Sequence, residues 1–420
     1  MKEEHPSESA PSLPGGLIPL EQWKLPEVSV KRTLKDALRH LMAQLRAGVS
    51  HDEEPFQSLD DLPSLTDKQI QHIAPRPDFT SLAQAILESL EELRETETLR
   101  RKVALLVAPP FSGVREALVR LPGAHPEVGV GGHGHWHLIA PPDNLLMSRE
   151  DARRWWDEQD LSGPWVIPEL ADFWLRHSDG LCLVQELLQR IVAGEVGPGL
   201  VGCSSWCWQF WESYFPDAHL APLTPAPMDA ERLGQWLEYL ACSRDRRPVT
   251  ARMTDDGLYV LPVDNPSEDS KRKHSGFLRD LATAARGIPE VALAIWQRSL
   301  RARPEDDAEA EGNSQEPNGS ERHCWVVPLD QLSLPAMPQS RERAVGFILH
   351  ALLLHDGLHE ERIAQVTGLD HLELHLALSR LLRSDLVSLA EASRRWHVTP
   401  VGYPTVRRHL QSWGYPVDAF

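Results

Sequence analysis

The run VALLVAPPFSGVREAL, from Val103 to Leu118, constrains this chain more than any other stretch. Its first five residues, Val103–Val107, are all apolar, which is typical of a strand covered on both faces, as in a parallel α/β sheet. Two prolines end the strand, and Gly113 gives the backbone the freedom for a tight turn. Apolar residues then recur with helical spacing from Val114 onwards. The run therefore predicts a strand–loop–helix unit within an α/β core.

This loop stands where a phosphate-binding loop of the pattern GxxxxGK[ST] would stand. In that pattern, backbone N–H groups surround the phosphates, the Lys neutralises them and the hydroxyl holds Mg²⁺. Val114 and Arg115 take the Lys and Ser/Thr positions, so the loop scaffold is kept and the phosphate chemistry is lost. Arg115 could contact a phosphate, but it cannot replace the hydroxyl on Mg²⁺. The alternative is an ordinary strand-to-helix turn. The candidate nucleotide-contacting residues are Ala108, Pro109, Pro110, Phe111, Ser112, Gly113, Val114 and Arg115.

A second apolar strand, GPWVIPEL at 163–170, ends in an acid, Glu169. Nucleotide hydrolases place acidic residues after such a strand, to hold Mg²⁺ and polarise the attacking water. Glu169 is therefore the candidate catalytic residue, although it can fill only one of two acidic roles. An equally weighted alternative is an acid near the N-terminus of a helix. A third strand, PGLVGCSSW, ends at Ser204 and Ser205.

Composition limits the partners and the compartment. The formal net charge is −18 over 420 residues, which argues against broad binding of nucleic acid or anionic membranes. No apolar run approaches 18 residues, and the first residues lack the apolar centre of a signal peptide. Five scattered Cys fit a reducing compartment. We therefore expect a cytoplasmic protein without a membrane-spanning segment.

Two patterns raise the question of a metal. His133, His135 and His137 alternate, so on a strand they would share one face and could bind an ion. The competing interpretation is a half-buried strand with Trp136 on the core side, and it is favoured because no carboxylate-rich second shell is visible. Cys203 and Cys207 lack the spacing of a CxxC pair, which argues against zinc. The sequence thus predicts no metal site.

The segment 341–420 has a winged-helix pattern: three helices, two short strands and a final helix near Pro404. A DNA-reading third helix should begin with Arg, Lys, Asn or Gln, whereas this one begins with Asp370 and His371. The segment holds nine Arg, no Lys and nine acidic residues, so it is near neutral. Protein contact is therefore favoured over DNA contact. The only candidate phosphate patch is Arg394, Arg395, Arg407 and Arg408.

The order of these features resembles the P-loop ATPases of the AAA+ group, in particular the origin-recognition and STAND-like branch. The resemblance covers about residues 95–420 and includes the helix pair at ARGIPEVAL, 285–293. It implies an α/β fold with a parallel-sheet P-loop NTPase-like core, a helical lid and a C-terminal winged helix. It also implies that Ser204 or Ser205 senses the γ-phosphate and that Arg286 belongs to the lid motif, where Ile288 replaces the expected Asn.

The domain boundaries follow from the same order. We expect a disordered tail at 1–19, an N-terminal helical region at 20–94 with a helix from about Ser81 to Arg101, and the α/β core at 95–245. Residues 246–340 should hold a β-hairpin, the helical lid and a disordered acidic loop at 302–323. The winged helix should occupy 341–420.

The missing Lys and hydroxyl predict weak or no ATP hydrolysis, because that chemistry is mostly charge neutralisation and positioning. The first hypothesis is a cytosolic pseudo-ATPase, a regulatory or scaffold protein that needs no cofactor. Seven of the 14 Trp lie between Trp155 and Trp211, so protein partners should bind the Trp-rich core edge and the winged helix. One alternative is a switch that binds ATP or ADP through backbone amides and Arg115. Another is a winged-helix DNA-binding regulator.

Overall fold

A computed structural model describes residues 11–26, 62–124, 135–216, 220–245, 249–262, 273–302, 322–338 and 343–420. The chain divides into two compact units that alternate along the sequence. The first unit comprises Met1–Lys24, Asp78–Ala226 and Leu334–Phe420, and the second comprises Leu25–Pro77 and Pro227–Ser333. The α/β core and the C-terminal segment therefore belong to one unit.

The described residues contain eleven strands and thirteen α-helices. The strands are β1 (Leu17–Pro19), β2 (Val103–Ala108), β3 (His137–Leu138), β4 (Trp165–Ile167), β5 (Gly199–Ser204), β6 (Leu223–Pro225), β7 (Val249–Met253), β8 (Leu300–Arg301), β9 (Arg322–Val326), β10 (Val387–Leu389) and β11 (Trp396–Val398). The helices are α1 (Asp67–Ile73), α2 (Phe79–Glu95), α3 (Val114–Ala124), α4 (Arg149–Asp157), α5 (Cys182–Ala193), α6 (Ser205–Tyr214), α7 (Ala230–Asp245), α8 (Phe277–Ala284), α9 (Pro289–Ser299), α10 (Arg343–Leu354), α11 (Glu360–Thr367), α12 (His371–Arg383) and α13 (Tyr403–Ser412).

The central sheet of the first unit has the order β1-β6-β2-β5-β4-β3. Strands β2 to β6 pair in parallel, and β1 runs antiparallel to β6 at one edge. All six residues of β2 are buried, as the apolar run predicted. Successive side chains of β2 point to opposite faces of the sheet and enter two separate apolar clusters. Residues of α2 and α3 complete the cluster on one face, and residues of α4, α5 and α6 complete the cluster on the other face. The predicted α/β core with β2 inside a largely parallel sheet is confirmed.

The prediction of a disordered tail at 1–19 is wrong for residues 11–19, which the structure places against the core. Leu13 and Leu17 are buried in the same apolar cluster as α2, and the backbone N–H of Leu17 donates to Ser89 Oγ at 2.9 Å. Two leucines among Ser, Pro and Gly give little local signal, and the free edge of β6 provides the partner strand. Residues 1–10 lie outside the described residues.

Two predicted segments are not fully described by the structure. Residues 27–61 of the expected N-terminal helical region lie outside the described residues, as do 303–321 of the acidic loop. The helix expected from about Ser81 to Arg101 is α2, which begins earlier because Asp78 caps it, accepting hydrogen bonds from the N–H groups of Thr80 and Ser81.

The C-terminal segment forms α10, α11 and α12, then the antiparallel pair β10–β11, then α13. Elements of these types were expected in this order. The segment packs on the α/β core, since Leu354 and Phe420 belong to the same apolar cluster as β4, β5 and α6. The ring of Phe420 lies 4.7 Å from that of Trp23. Core and C-terminal segment therefore share one hydrophobic interior.

In the second unit, a three-stranded sheet has the order β7-β9-β8. The turn expected in the β-hairpin forms at Gly257, which has a φ of 67°, and the returning chain donates from Val260 N to Ala251 O at 3.0 Å. The full-length partner of β7 is, however, β9, which runs parallel to it and comes from beyond the acidic loop. The helix pair α8–α9 is broken at Gly287 and Pro289, where a break was expected. Among the described residues, no helix is both long enough and apolar enough to span a membrane.

Candidate functional site at the loop after strand β2

The loop joins the end of β2 at Ala108 to the start of α3 at Val114. Phe111 and Gly113 both have left-handed backbone conformations, with φ of 66° and 80°. Such a conformation costs a non-glycine residue free energy, so the surrounding contacts must hold Phe111 in place. The first helical hydrogen bond runs from Ala117 N to Gly113 O at 3.0 Å. The local shape is the predicted tight strand-to-helix turn.

Val114 occupies the position of the phosphate-binding Lys. Its side chain is only 3% exposed and belongs to the apolar cluster that includes Leu118 and Ala108. A Lys needs solvent or an anion at its ammonium group, and an apolar cluster offers neither. The side chain of Val114 therefore contributes to the core and does not line an open site.

Arg115, at the position of the hydroxyl residue, forms two ion pairs. Its Nη2 lies 2.7 Å from Asp172 Oδ2, and its Nη1 contacts Asp356 Oδ2. Asp172 lies in the short 3₁₀ helix Leu170–Phe173 that follows β4, and Asp356 follows α10. Burial lowers the pKa of Arg115, but the carboxylates of Asp356 and Asp172 raise it by more, so the guanidinium stays charged.

A second arginine completes the cluster. Arg395 Nη1 lies 2.6 Å from Asp172 Oδ1, and its Nη2 donates to the backbone carbonyl of Gly357 at 2.5 Å. Asp172 thus bridges two guanidinium groups with its two oxygens. We refer to Arg115, Asp172, Asp356 and Arg395 as the ion-pair network. It connects the loop and the end of β4 to the C-terminal segment.

Sequence reasoning identified Arg115 and Arg395 as separate phosphate-binding candidates and missed both carboxylates. The position of Asp172 in the sequence gives a weak indication of its role, because Asp172 comes a few residues after β4 and Glu169. Asp356 carries none, since it lies more than 240 positions from Arg115. Charged residues so far apart in the sequence come together only when the chain folds.

Phe111 makes a further contact with the C-terminal segment. Its ring packs edge-on against Tyr403, with a centroid distance of 5.6 Å. Tyr403 is fully buried and its hydroxyl accepts a hydrogen bond from Trp206 Nε1 at 3.1 Å. Both large side chains of the loop, Phe111 and Arg115, therefore contact the segment that follows the core.

The backbone amides of the loop have fewer partners. Pro109 and Pro110 have no N–H to donate. The N–H groups of Phe111, Ser112 and Gly113 find no acceptor among the described residues. Consecutive free amides next to a helix N-terminus are the kind of group that binds anions. The side chains of Phe111 and Arg115 thus contact other parts of the protein, while some backbone N–H groups of the loop remain able to donate a hydrogen bond.

Glu169 is buried, with 4% of its surface exposed. Its Oε1 accepts hydrogen bonds from the backbone N–H groups of Ala171, at 2.9 Å, and Ser204, at 3.0 Å. The pKa of Glu169 is raised to about 8, chiefly by burial and also by the charge of Asp356, while Arg115 opposes the increase. The first of these hydrogen bonds caps the 3₁₀ helix, which is the geometry of the non-catalytic alternative.

Ser204 at the end of β5 and Ser205 at the start of α6 both form hydrogen bonds within the protein. Ser204 caps α6, and its Oγ accepts a hydrogen bond from Cys207 N at 3.3 Å. Ser205 Oγ donates to Asp418 Oδ2, and the other oxygen of Asp418 accepts from Arg407 Nε at 3.1 Å. The residues proposed to sense a phosphate therefore have partners of their own.

The remaining predicted residues lie elsewhere. Arg286 belongs to the second unit, with a left-handed φ of 57°, between α8 and α9. His133 lies outside the described residues, and His135 and His137 are exposed. Trp136 is buried, as the half-buried strand interpretation requires, although Leu138 is exposed. In the candidate phosphate patch, Arg395 and Arg407 form ion pairs, which leaves Arg394 and Arg408 on the surface.

Comparison with known proteins adds little to this geometry. No protein-family model and no curated protein matches the chain. A solved structure of the Aeropyrum pernix ORC2 protein, in ADPNP–ADP complexes, is similar to it with 15% sequence identity, covering 93% of this chain and 96% of that chain. The TM-score is 0.30, which is too low to support any inference about fold or function. The description of this molecule therefore depends on its own strand order and contacts.

Proposed function

We propose that this chain is a degenerate relative of AAA+/STAND-type ATPases that acts as a regulatory or scaffold protein, with weak or no ATP hydrolysis. In this proposal the former phosphate loop holds a C-terminal winged helix against the core instead of holding a nucleotide. The observation that carries the proposal is Arg115, which pairs with Asp172 and Asp356. A residue committed to two carboxylates is not available to neutralise a triphosphate.

The charges around the loop support the same conclusion. The network contributes two carboxylates, and Glu169 is held by two backbone amides close by. Phosphoryl transfer needs positive groups and a hydroxyl-bound Mg²⁺ at this place. Here Val114 is apolar and buried, so the cation that the reaction requires is missing from its position. These features favour a structural use of the loop.

The C-terminal segment offers a surface for a protein partner. On α12, Leu372 and Leu376 are 69% and 47% exposed, and they lie one helical turn apart. Exposed leucines one turn apart on one helix are typical of protein contact and unsuited to reading DNA bases. Arg395 and Arg407 are held in ion pairs, so neither of these two guanidinium groups is available to a DNA phosphate. The two exposed leucines therefore support α12 as the proposed partner-binding surface.

The proposal is tested by following the thermal unfolding of the purified chain with ATP and ADP, each with and without Mg²⁺. We expect no Mg²⁺-dependent increase in Tm and a hydrolysis rate at the background level. A ligand that binds only the folded state raises stability by RT ln(1 + [L]/Kd), so bound nucleotide must raise the Tm. A clear Mg²⁺-dependent shift, or brisk turnover, would contradict the proposal.

The free amides of Phe111, Ser112 and Gly113 favour a second candidate, a switch that binds nucleotide through its backbone. Binding of that kind needs no metal, because the amides themselves contact the phosphates. Stabilisation by ADP that is equal with and without Mg²⁺ would support this candidate. Because Arg115 would also contribute, Arg115→Ala should then weaken the ADP effect, whereas under the first proposal ADP has no effect to weaken.

A further inference from the structure

Three ligand-type side chains meet at the carboxyl edge of the central sheet, and the proposed function uses none of them as a group. Glu169 follows β4, Cys203 lies near the end of β5, and Cys207 lies on the first turn of α6. Parallel pairing aligns Ile167 with Val201, so two residues further on Glu169 and Cys203 come side by side. The helical turn then brings Cys207 next to both.

The ligand atoms of these three residues all lie within 4.8 Å of one another, and all three residues are buried. Zinc binds sulfur at about 2.3 Å and carboxylate oxygen at about 2.0–2.2 Å, so two ligands of a tetrahedral ion lie about 3.5–3.8 Å apart. Side-chain shifts of up to about 1 Å therefore bring the three atoms to coordinating distance. Two thiolates and a carboxylate form a donor set that suits Zn²⁺ and not Mg²⁺.

The surroundings of the cluster resemble those of a metal site. Trp174 Nε1 donates to Cys207 Sγ at 3.2 Å, a contact that orients the sulfur and would stabilise a thiolate. Glu169 Oε1 is fixed by two backbone N–H groups, and no described group donates to its Oε2. That second oxygen is thus free to act as a ligand.

We propose that Glu169, Cys203 and Cys207 bind a Zn²⁺ ion, with water at the fourth position, and that the ion ties β4, β5 and α6 together at this edge. The inference is independent of the proposed function, which holds whether or not zinc binds. It revises the sequence expectation, because the ligands come from two strands and a helix and show no CxxC spacing. Since the cluster is buried, the ion enters during folding.

The first test measures zinc in the full chain expressed in zinc-supplemented medium and purified without chelator. We expect a stoichiometric amount of zinc, and expression in cobalt medium should give the thiolate-to-Co²⁺ absorption band in the near ultraviolet. Folded wild-type protein that contains neither zinc nor the cobalt band would overturn the proposal.

The second test uses variants. Glu169→Gln keeps an oxygen that accepts both backbone hydrogen bonds but is a poor ligand, so it should fold and lose most of its zinc. Cys203→Ser and Cys207→Ser should each lose the cobalt band. Cys324→Ser, a buried thiol outside the cluster, should keep both signals. Zinc retained by all three cluster variants would place the ion elsewhere and refute the assignment.

A third measurement needs no variant. Alkylation of the wild-type chain in mild denaturant, mapped by mass spectrometry, should be slower at Cys203 and Cys207 with zinc than after chelation, while Cys242 should be unchanged. Equal rates at the two cluster thiols with and without zinc would count against the site even if a variant failed to fold.

Discussion

At the residue scale, Val114 contributes to the core at the position where the pattern GxxxxGK[ST] would have a Lys. The residue sits where the ammonium group of a Lys would be required, yet it packs within the core. Introducing a Lys at position 114 should therefore destabilise the folded state, because burying an unpaired charge is costly.

We predict that Val114→Lys lowers the free energy of unfolding by roughly 2 kcal/mol or more and gives no gain in ATP binding. The control is Val119→Lys on the same helix, where the side chain is 50% exposed and the change should cost little. Both are measured by denaturant unfolding and by ATP-dependent Tm. Equal stability of the two variants, or ATP binding restored by Val114→Lys, would contradict this view of the loop.

The ion-pair network gives a second prediction at this scale. Asp172→Asn removes the carboxylate that Arg115 and Arg395 share, and should cost roughly 1–3 kcal/mol, since the side chains are only partly exposed and the bonds are charge-assisted. Asp157→Asn, which breaks a pair with Arg190 in which the aspartate is largely exposed, should cost less than about 0.5 kcal/mol. Chemical denaturation of both variants checks the difference, and a cost for Asp172→Asn no larger than the control would refute it.

His350 makes stability depend on pH. Its pKa is lowered to about 4, chiefly by burial and also by the charge of Arg176, against an ordinary value of 6.5. Between these values the unfolded chain binds more protons than the folded chain, so the stabilising contribution is complete above pH 6.5 and is lost as the pH falls towards 4. We predict that the free energy of unfolding of His350→Gln falls less steeply than that of the wild type as the pH is lowered through this range. The two slopes should differ by up to about 1.4 kcal/mol per pH unit. An unchanged pH profile would show that His350 does not titrate in this way.

At the scale of the element, α12 presents two different faces. Leu374 and Leu378 are buried within the C-terminal segment, whereas Leu372 and Leu376 are exposed. Burial of the first pair accounts for folding, and it leaves the second pair without a structural role among the described residues. The exposed face is therefore the part of the helix that a partner can use.

We predict that the double variant Leu372→Glu and Leu376→Glu leaves the Tm nearly unchanged, because exposed positions contribute little to stability. Leu374→Ala on the same helix should cost about 2–5 kcal/mol, since it leaves a cavity. If a protein partner is isolated with the wild-type chain, the double variant should lose it while Arg394→Glu keeps it. Loss of stability in the double variant would show that the two leucines are covered in the folded chain.

At the scale of the whole molecule, the C-terminal segment completes the core. Leu354 and Phe420 share an apolar cluster with β4 and β5, and the ion-pair network and the contact between Tyr403 and Trp206 connect the same parts. A module added as a separate domain would not carry side chains that fill the interior of its neighbour.

We therefore predict that a chain ending at Ser333 does not keep a stable α/β core. Removing residues 334–420 exposes apolar surface of the core that the helices packed on the sheet do not cover. Circular dichroism and thermal unfolding should show loss of the cooperative transition, and the shortened chain should aggregate. A shortened chain that unfolds cooperatively at the wild-type Tm would show that the core is complete without residues 334–420.

Local patterns determined a large part of this fold. The apolar run of β2, the cap residue Asp78 and the break at Gly287 and Pro289 each specify their element from neighbouring residues alone, because strand burial, helix capping and chain breaking act over a few positions. The same holds for the order of helices and strands at 343–412. The short strand β1 was not predicted, because it is stabilised by pairing with β6 and not by its own composition.

The sequence by itself determined that this chain has a strand–loop–helix unit without the residues that grip phosphate and magnesium. What those positions do instead was decided only by the tertiary structure. The apolar spacing from Val114 already indicated that this residue faces the core, but Arg115 meets Asp172 and Asp356, which are distant along the chain. Glu169, Cys203 and Cys207 likewise come together only because parallel strands align their carboxyl ends. Interactions between side chains depend on distance in space, and sequence separation does not encode that distance.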